Sequence, residues 1–365
     1  MKKILSLFLF LCISVSVFTQ ATYIISGQVI DAATRLPLQA ASVFAQNTTV
    51  GTATGTEGNF KLELPVGGYD LVVTFTGYQT ETKRITTADA ADNHIVIELK
   101  QKEKELQDVI VKSTNEVKDG WEKYGDFFLE NFIGKTENAT QCTINNTAAL
   151  KFYFYKKRNR LKVLATEPVE IVNKALGYSI KYTLDSFTHE YNSQQSLYSG
   201  YPLFEELQPA DEAEKKKWDT ARMTAYNGSI LHFMRSLYHK QLKEDGFEIQ
   251  FLVNFNDKEN AIPVKDFYGG MNYKKEDSSQ VVDIVPNQKE VALIFINERP
   301  PLAYLEINPE ASPNFQLSVL SFLKNEPVSI EQNGYYYDQD NITIKQYLGW
   351  EKVADMLPYD YILIK

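Results

Sequence analysis

The spacing of hydrophobic positions changes several times along the chain. Between residues 24 and 99, short apolar or alternating runs recur with turn residues between them, which predicts a small β-sandwich. Ile24 to Ile30, Ala41 to Gln46, Tyr69 to Phe75 and His94 to Leu99 are four such runs. In a fifth, Phe60, Leu62 and Leu64 alternate with Lys61 and Glu63, so one face is buried and the other is wet. Between the runs, Gly51 to Asn59 and Pro65 to Gly68 are rich in residues that relieve strain at turns.

Past residue 119 the period becomes helical and then alternates again. Trp121, Tyr124, Phe127, Phe128 and Phe132 share one helical face, with Gly134 as a stop. Phe152 and Phe154 alternate with Tyr153 and Tyr155, and Leu161 to Ala165 supplies a hairpin partner. Leu176, Tyr178, Ile180, Tyr182 and Leu184 make the cleanest period-two pattern and predict a strand with one wet face. From Asp211 a helical stretch runs from acidic to basic residues, as the helix dipole favours. Asn227-Gly228-Ser229 should interrupt it, with Ser229 capping a second helix whose stripe is Ile230, Phe233, Met234 and Leu237. Phe247 to Phe255, Val281 to Val285, Val291 to Ile296 and Leu302 to Ile307 read as further strands, and Phe315 to Leu323 is ambiguous. The predicted chain is therefore β-rich: a sandwich at 24–99, a charged linker at 100–118, and a larger α+β domain at 119–365 with mainly antiparallel strands.

Within the sandwich, the spacing of particular residues carries a resemblance. Gly27-x-Val29-x-Asp31, Pro37, Ala41-Ser42-Val43, Thr54, Gly58-x-Phe60, Pro65-x-Gly67-x-Tyr69-x-Leu71 and Gly77-Tyr78 together resemble the carboxypeptidase-like regulatory domain. The resemblance implies an Ig-like or transthyretin-like (prealbumin-like) sandwich, of a kind commonly fused to the N-terminus of bacterial outer-membrane TonB-dependent receptors. It covers about a fifth of the chain and brings no catalytic residues. Gly55 departs from it, standing where the family usually has an acidic residue.

Lys2 and Lys3 precede an apolar run from Ile4 to Val17, and Val17-Phe18-Thr19 offers a cleavage site, so residues 1–19 are expected to be a secretory signal. Removing it takes the net charge from −9 to −11, with 36 basic residues against 47 acidic ones. That balance and a pI of about 5.2 exclude the basic footprint that nucleic-acid binding needs. No transmembrane span is expected in the mature chain. Cys142 is then the single cysteine of that chain and reads as a small buried apolar residue.

The candidate binding residues fall into three groups. Asp108, Val109, Ile110 and Val111 follow a polar run and resemble the TonB box of those receptors, a segment that would add as a strand to a partner's sheet edge; an ordinary strand is the alternative. Lys156, Lys157, Arg158 and Arg160, with Lys162, would dock an acidic glycan or lipid phosphate, or simply solvate a hairpin tip. His232, Arg235 and His239 share a helical face with Ser236 and would form a partner-facing or solvated surface. Seven residues of helix separate the two imidazoles by roughly 10 Å, too far for one metal. Tyr198 to Tyr201 and Tyr335 to Tyr337 would stack on sugars or pack in a core, and Asp338 to Asn341 is a fragment of a calcium loop without its glycine and distal glutamate.

Motifs for zinc proteases, serine hydrolases, phosphate-binding loops and dithiol redox sites are missing. No catalytic residue, cofactor or metal is nominated. The expected function is that of a non-enzymatic binding or scaffolding protein of the bacterial cell envelope, periplasmic or outer-membrane associated. Its partner would be an outer-membrane receptor, a TonB-like protein or a glycan. The alternative is a secreted hydrolase acting on peptide or glycan through residues 119–365.

Overall fold

The computed structural model describes residues 21–87, 89, 94–102, 115–255, 258–276 and 280–363. The expected signal segment lies outside them.

Seven strands build the first unit: β1 (Thr22–Asp31), β2 (Ser42–Ala45), β3 (Gly51–Ala53), β4 (Asn59–Pro65), β5 (Tyr69–Thr74), β6 (Glu81–Ile85) and β7 (Ile95–Leu99). They form a three-stranded sheet, β4-β1-β7, and a four-stranded sheet, β3-β2-β5-β6. β1 runs antiparallel to β4 and parallel to β7. The alternation in β4 holds residue by residue, with Phe60, Leu62 and Leu64 inside. β3 and β6 carry no hydrophobic signature because they are the two edges of their sheet, and β6 buries only Ile85. Asp31 explains part of the motif spacing. Its Oδ1 accepts the N–H groups of Ala33 and Thr34 (2.8 and 2.7 Å), and its Oδ2 accepts the Tyr78 hydroxyl and the Gln101 amide (2.6 and 3.0 Å). These donors, Tyr78 foremost, hold the carboxyl well below the usual range and tie the end of β1 to the Gly77-Tyr78 turn.

The second region opens with helix α1 (Gly120–Phe132), then β8 (Cys142–Ile144), β9 (Leu150–Tyr155), β10 (Arg160–Ala165), β11 (Val169–Asn173), β12 (Tyr178–Glu190) and β13 (Gln195–Glu206). One edge of the long β12 is shared between β11 and β10, while β13 pairs along the other edge. α1 lays Phe128 and Phe132 on this sheet, in edge contacts with Phe187 and Tyr182 at 5.1 and 5.0 Å. Helices α2 (Glu212–Tyr226) and α3 (Ile230–His239) follow, capped as their sequences require: Asp211 accepts Glu214 N–H and Ser229 accepts His232 N–H.

The rest of the chain adds β14 (Phe247–Phe255), β15 (Lys258–Pro263), β16 (Lys274–Lys275), β17 (Val282–Ile284), β18 (Glu290–Phe295), helix α4 (Leu302–Ile307), β19 (Gln316–Phe322), β20 (Val328–Ile330) and β21 (Ile342–Gln346). Two antiparallel sheets result, β15-β14-β18-β19-β21 and β16-β17-β20. Phe233, Met234 and Leu237 of α3 pack into a core with Phe247, Leu293 and Ile330.

The structure corrects two local expectations. Leu302 to Ile307 is a helix rather than a strand: Pro301, with φ near −67°, sits at its N-cap, and its carbonyl accepts the N–H groups of Tyr304 and Leu305. Tyr304 is buried there, whereas Leu302 and Ile307 stay exposed. The face of α3 expected to be polar and open is only partly so: Ser236 is 2% exposed and His232 is packed among Tyr226, Phe247 and Phe295, whereas His239 at its end is exposed. The ambiguous segment around Phe315 to Leu323 is a strand.

One continuous cluster of buried side chains joins Leu64, Tyr69 and Leu71 of the sandwich to Tyr178, Phe204, Tyr335 and Tyr359 of the second region. Sandwich and second region should therefore unfold together in urea, in one transition coincident by fluorescence and circular dichroism. Phe204→Ala should lower the stability of that single transition by about 3–5 kcal/mol. Two separated transitions, with only one sensitive to Phe204→Ala, would contradict the shared core.

Candidate functional site

Backbone hydrogen bonds cross the junction where the sandwich meets the second region. Asn47 N–H donates to the Pro202 carbonyl (2.8 Å), Phe204 N–H to Thr48 (2.9 Å) and Tyr359 N–H to Asn47 (2.7 Å). At the same end of the β3-β2-β5-β6 sheet, Arg84 from β6 lies over the ring of Tyr337 at 3.3 Å and that of Tyr335 at 4.5 Å. Its guanidinium pairs with Glu331 at 3.0 Å and with Asp70 at 3.6 Å. The Tyr335 hydroxyl donates to Asp70 and the Tyr337 hydroxyl to Glu331, which closes the ring of charges. A Cβ at Gly68 would displace the Arg84 guanidinium and the Glu331 carboxylate from their places in this clamp.

Beside this clamp lies a cleft of about 520 Å³. Ala21, Pro65, Val66 and Tyr69 of the sandwich form one wall, Arg235 and His239 of α3 another, and Gln332, Asn333 and Tyr359 the rest. The Gln332 and Asn333 amides donate to the Val66 and Gly68 carbonyls (2.7 and 3.3 Å), which ties the two walls together. Arg235 donates from Nε to the Asn333 carbonyl (2.9 Å) and from Nη2 to the carbonyls of Tyr359 and Tyr361 (2.9 and 3.1 Å). Among the described residues it pairs with no carboxylate. Tyr69 is 0% exposed, and burial pushes its phenol up to about 12. The Tyr69 hydroxyl lies near the Asn333 amide yet closes no hydrogen bond of ordinary geometry. His239 is exposed, and its pKa is lowered by partial burial and by the cations Lys275 and Arg235. Among the described residues the lining thus offers a cation, an imidazole, phenols and amides, with no carboxylate, serine or cysteine. Such a surface suits recognition by charge and hydrogen bonding.

The sequence-predicted residues separate in space. Asp108, Val109, Ile110 and Val111 lie outside the described residues. Lys156, Lys157 and Arg158 are exposed at the β9–β10 turn, and Arg160 is ion-paired with Glu190. Only Arg235 and His239 reach the cleft; His232, two turns before His239 on the same face of α3, is packed against Tyr226, Phe247 and Phe295. The tyrosine runs are mostly packing: Tyr335 and Tyr336 are buried, and Tyr198 meets Phe132 edge-on at 5.2 Å. Asn341 is 1% exposed, with its Oδ1 accepting the Lys324 N–H. Among the described residues no three side chains converge as metal ligands. Cys142 is half-buried, and burial pushes its thiol up to about 12, so it stays protonated.

Tyr69, Asn333 and Tyr359 carried no sequence signal as site residues, because the cleft arises from separate stretches of the chain around positions 65–69, 235–239, 332–333 and 359. Two serine–histidine groupings also emerge, and their wiring argues against nucleophile activation. Ser196 donates to Asn131 Oδ1 (2.9 Å) and faces His189 Nδ1 (2.8 Å), so its only proton is directed away from the imidazole. In the other, Asp245 accepts the Ser236 hydroxyl (2.6 Å) and lies 3.7 Å from His232 Nε2. The carboxylate there sits between serine and histidine, the reverse of triad order. Elsewhere, burial raises the Glu351 carboxyl far above its usual range, with Asp355 and Glu298 adding repulsion.

His232 Nδ1 accepts the Gly228 N–H (3.1 Å), and burial lowers its pKa from 6.5 to about 4. Below pH 6.5 the unfolded chain takes up a proton that the folded chain refuses until about pH 4, so stability falls with pH across that window. The loss attributable to His232 should be on the order of 2–3 kcal/mol. It should be missing from the pH profile of His232→Gln measured by urea unfolding; superimposable profile shapes would refute it.

A family model described as the CarboxypepD_reg-like domain matches residues 25–111. No curated protein matches the chain. Among solved structures, a 9R-lipoxygenase from Cyanothece PCC8801 is similar over 60% of this chain, at 9% identity and a TM-score of 0.16. The chain spans about half of that enzyme's length (48%), and a likeness this slight carries no argument. The N-terminal sandwich, with its Asp31–Tyr78 tie, is thus a CarboxypepD_reg-like domain.

Proposed function

We propose that this chain is a non-enzymatic binding or scaffolding protein of the bacterial cell envelope, working beside outer-membrane uptake systems, with the junction cleft as its binding surface. The observation that carries this reading is the joint construction of the cleft: the sandwich supplies one wall and the second region the others. A regulatory-type module fixed in that way acts as part of a site rather than as a tethered appendage. The basic-then-apolar leader supports export. The described lining, a cation with an imidazole, phenols and amides, favours holding a ligand over cleaving it.

Two measurements on the full chain test this. Expressed in a Gram-negative host, the protein should fractionate with the envelope and begin at Gln20 on N-terminal sequencing. Cytoplasmic retention with Met1 in place would overturn the envelope assignment. In a thermal-shift panel of neutral glycans, acidic glycans and short peptides, at least one class should raise Tm for the wild type. The same class should fail with Val66→Trp, which adds bulk to the cleft wall. A panel without any shift would remove the binding reading, and conversion of a panel member into product would replace binding by catalysis.

A further inference from the structure

We infer that the junction cleft recognises its ligand through a free carboxylate, with Arg235 as the counter-charge and the Tyr69 hydroxyl as a second donor. The inference rests on the binding reading above and adds the chemistry of the ligand. Among the described residues, Arg235 is the only formal charge in the lining, on a chain whose net charge is −9. Its hydrogen bonds from Nε and Nη2 end on three neutral backbone carbonyls, which fix the plane of the guanidinium without cancelling its charge. A partly buried cation in that state attracts an anion, and a planar fork favours a planar one. Tyr69 adds a fully buried hydroxyl without an ordinary partner, an uncompensated desolvation that an acceptor oxygen would remove.

The charge count separates a carboxylate from a phosphate. A phosphate dianion is matched by a cluster of cations, whereas here one guanidinium matches one negative charge. A volume of about 520 Å³ fits a ligand of two or three amino-acid or sugar units. The carboxylate would come from a peptide C-terminus or from a uronic acid of an acidic glycan.

Calorimetric titration of the full chain distinguishes these sources with five probes: trialanine, trialanine amide, trigalacturonate, maltotriose and inorganic phosphate. Trialanine or trigalacturonate should bind, and whichever does identifies the source. Trialanine amide, maltotriose and phosphate should bind at least tenfold more weakly. Arg235→Gln should weaken the bound carboxylate at least tenfold. Tyr69→Phe should weaken it severalfold while leaving Tm unchanged or higher, because the lost hydroxyl closes no hydrogen bond of ordinary geometry within the protein; this variant serves if Arg235→Gln misfolds. Equal binding of the amide, tighter binding of phosphate, or an unaltered affinity in Tyr69→Phe would overturn the assignment. If maltotriose alone binds, the carboxylate falls and the binding reading survives. If no probe binds, the carboxylate assignment fails, and the wider thermal-shift panel decides the binding reading separately.

Discussion

The arrangement of this molecule depends on where one guanidinium is put. Arg84 stands on β6, an edge strand that buries almost nothing else, and its side chain is three-quarters buried between two tyrosine rings and two carboxylates from different parts of the chain. A charge removed from water needs all its compensation in place, and breaking such a pair by deleting one partner costs about 3–5 kcal/mol. Total stability of a folded domain is only about 5–15 kcal/mol. Asp70 belongs to the sandwich, Glu331, Tyr335 and Tyr337 to the second region, so neither unit satisfies Arg84 alone. The segment at 331–337 is held against the sandwich for that reason, and it brings Asn333 to the edge of the cleft.

Much of the fold is legible in the sequence wherever burial is one-sided. β4 and β12 have alternating faces, and their patterns predict both the strands and the orientation of their side chains. The caps Asp211 and Ser229 likewise announce the starts of their helices through a local hydrogen bond. The pattern fails where the environment is not periodic. β3 and β6 are edges with little apolar content, and the segment at Leu302 is set by Pro301 rather than by its leucines. On α3, Ser236 and His232 are polar residues turned inward, where each finds its hydrogen bonds in a neighbour's backbone or in Asp245. Polarity alone predicts water on that face, and packing overrides it.

The cleft was legible only in part. Arg235 and His239 stand out as polar residues at helical spacing, yet nothing in their neighbourhood says what they face. Tyr69 is hidden more completely, since in sequence it is one aromatic of a buried β-strand and also part of the sandwich motif. Its distinction is a hydroxyl without an ordinary partner, a property of its three-dimensional surroundings. Long-range pairings such as Gln332 with Val66 have no local signature at all, because their partners are separated by 266 positions.

The turn between β2 and β3 illustrates what such a junction does to a loop's freedom. Surface hairpin turns ordinarily absorb insertions and drift in sequence with little penalty. Here Asn47 and Thr48 exchange backbone hydrogen bonds with Pro202, Phe204 and Tyr359, and Thr49 is held by Asp360. An epitope or fluorescent tag inserted at that turn would pry the two regions apart, whereas the exposed β9–β10 turn at Lys156 to Asn159 would carry one without strain. A sandwich transplanted from a related module would fit this body only if it carried a matching turn.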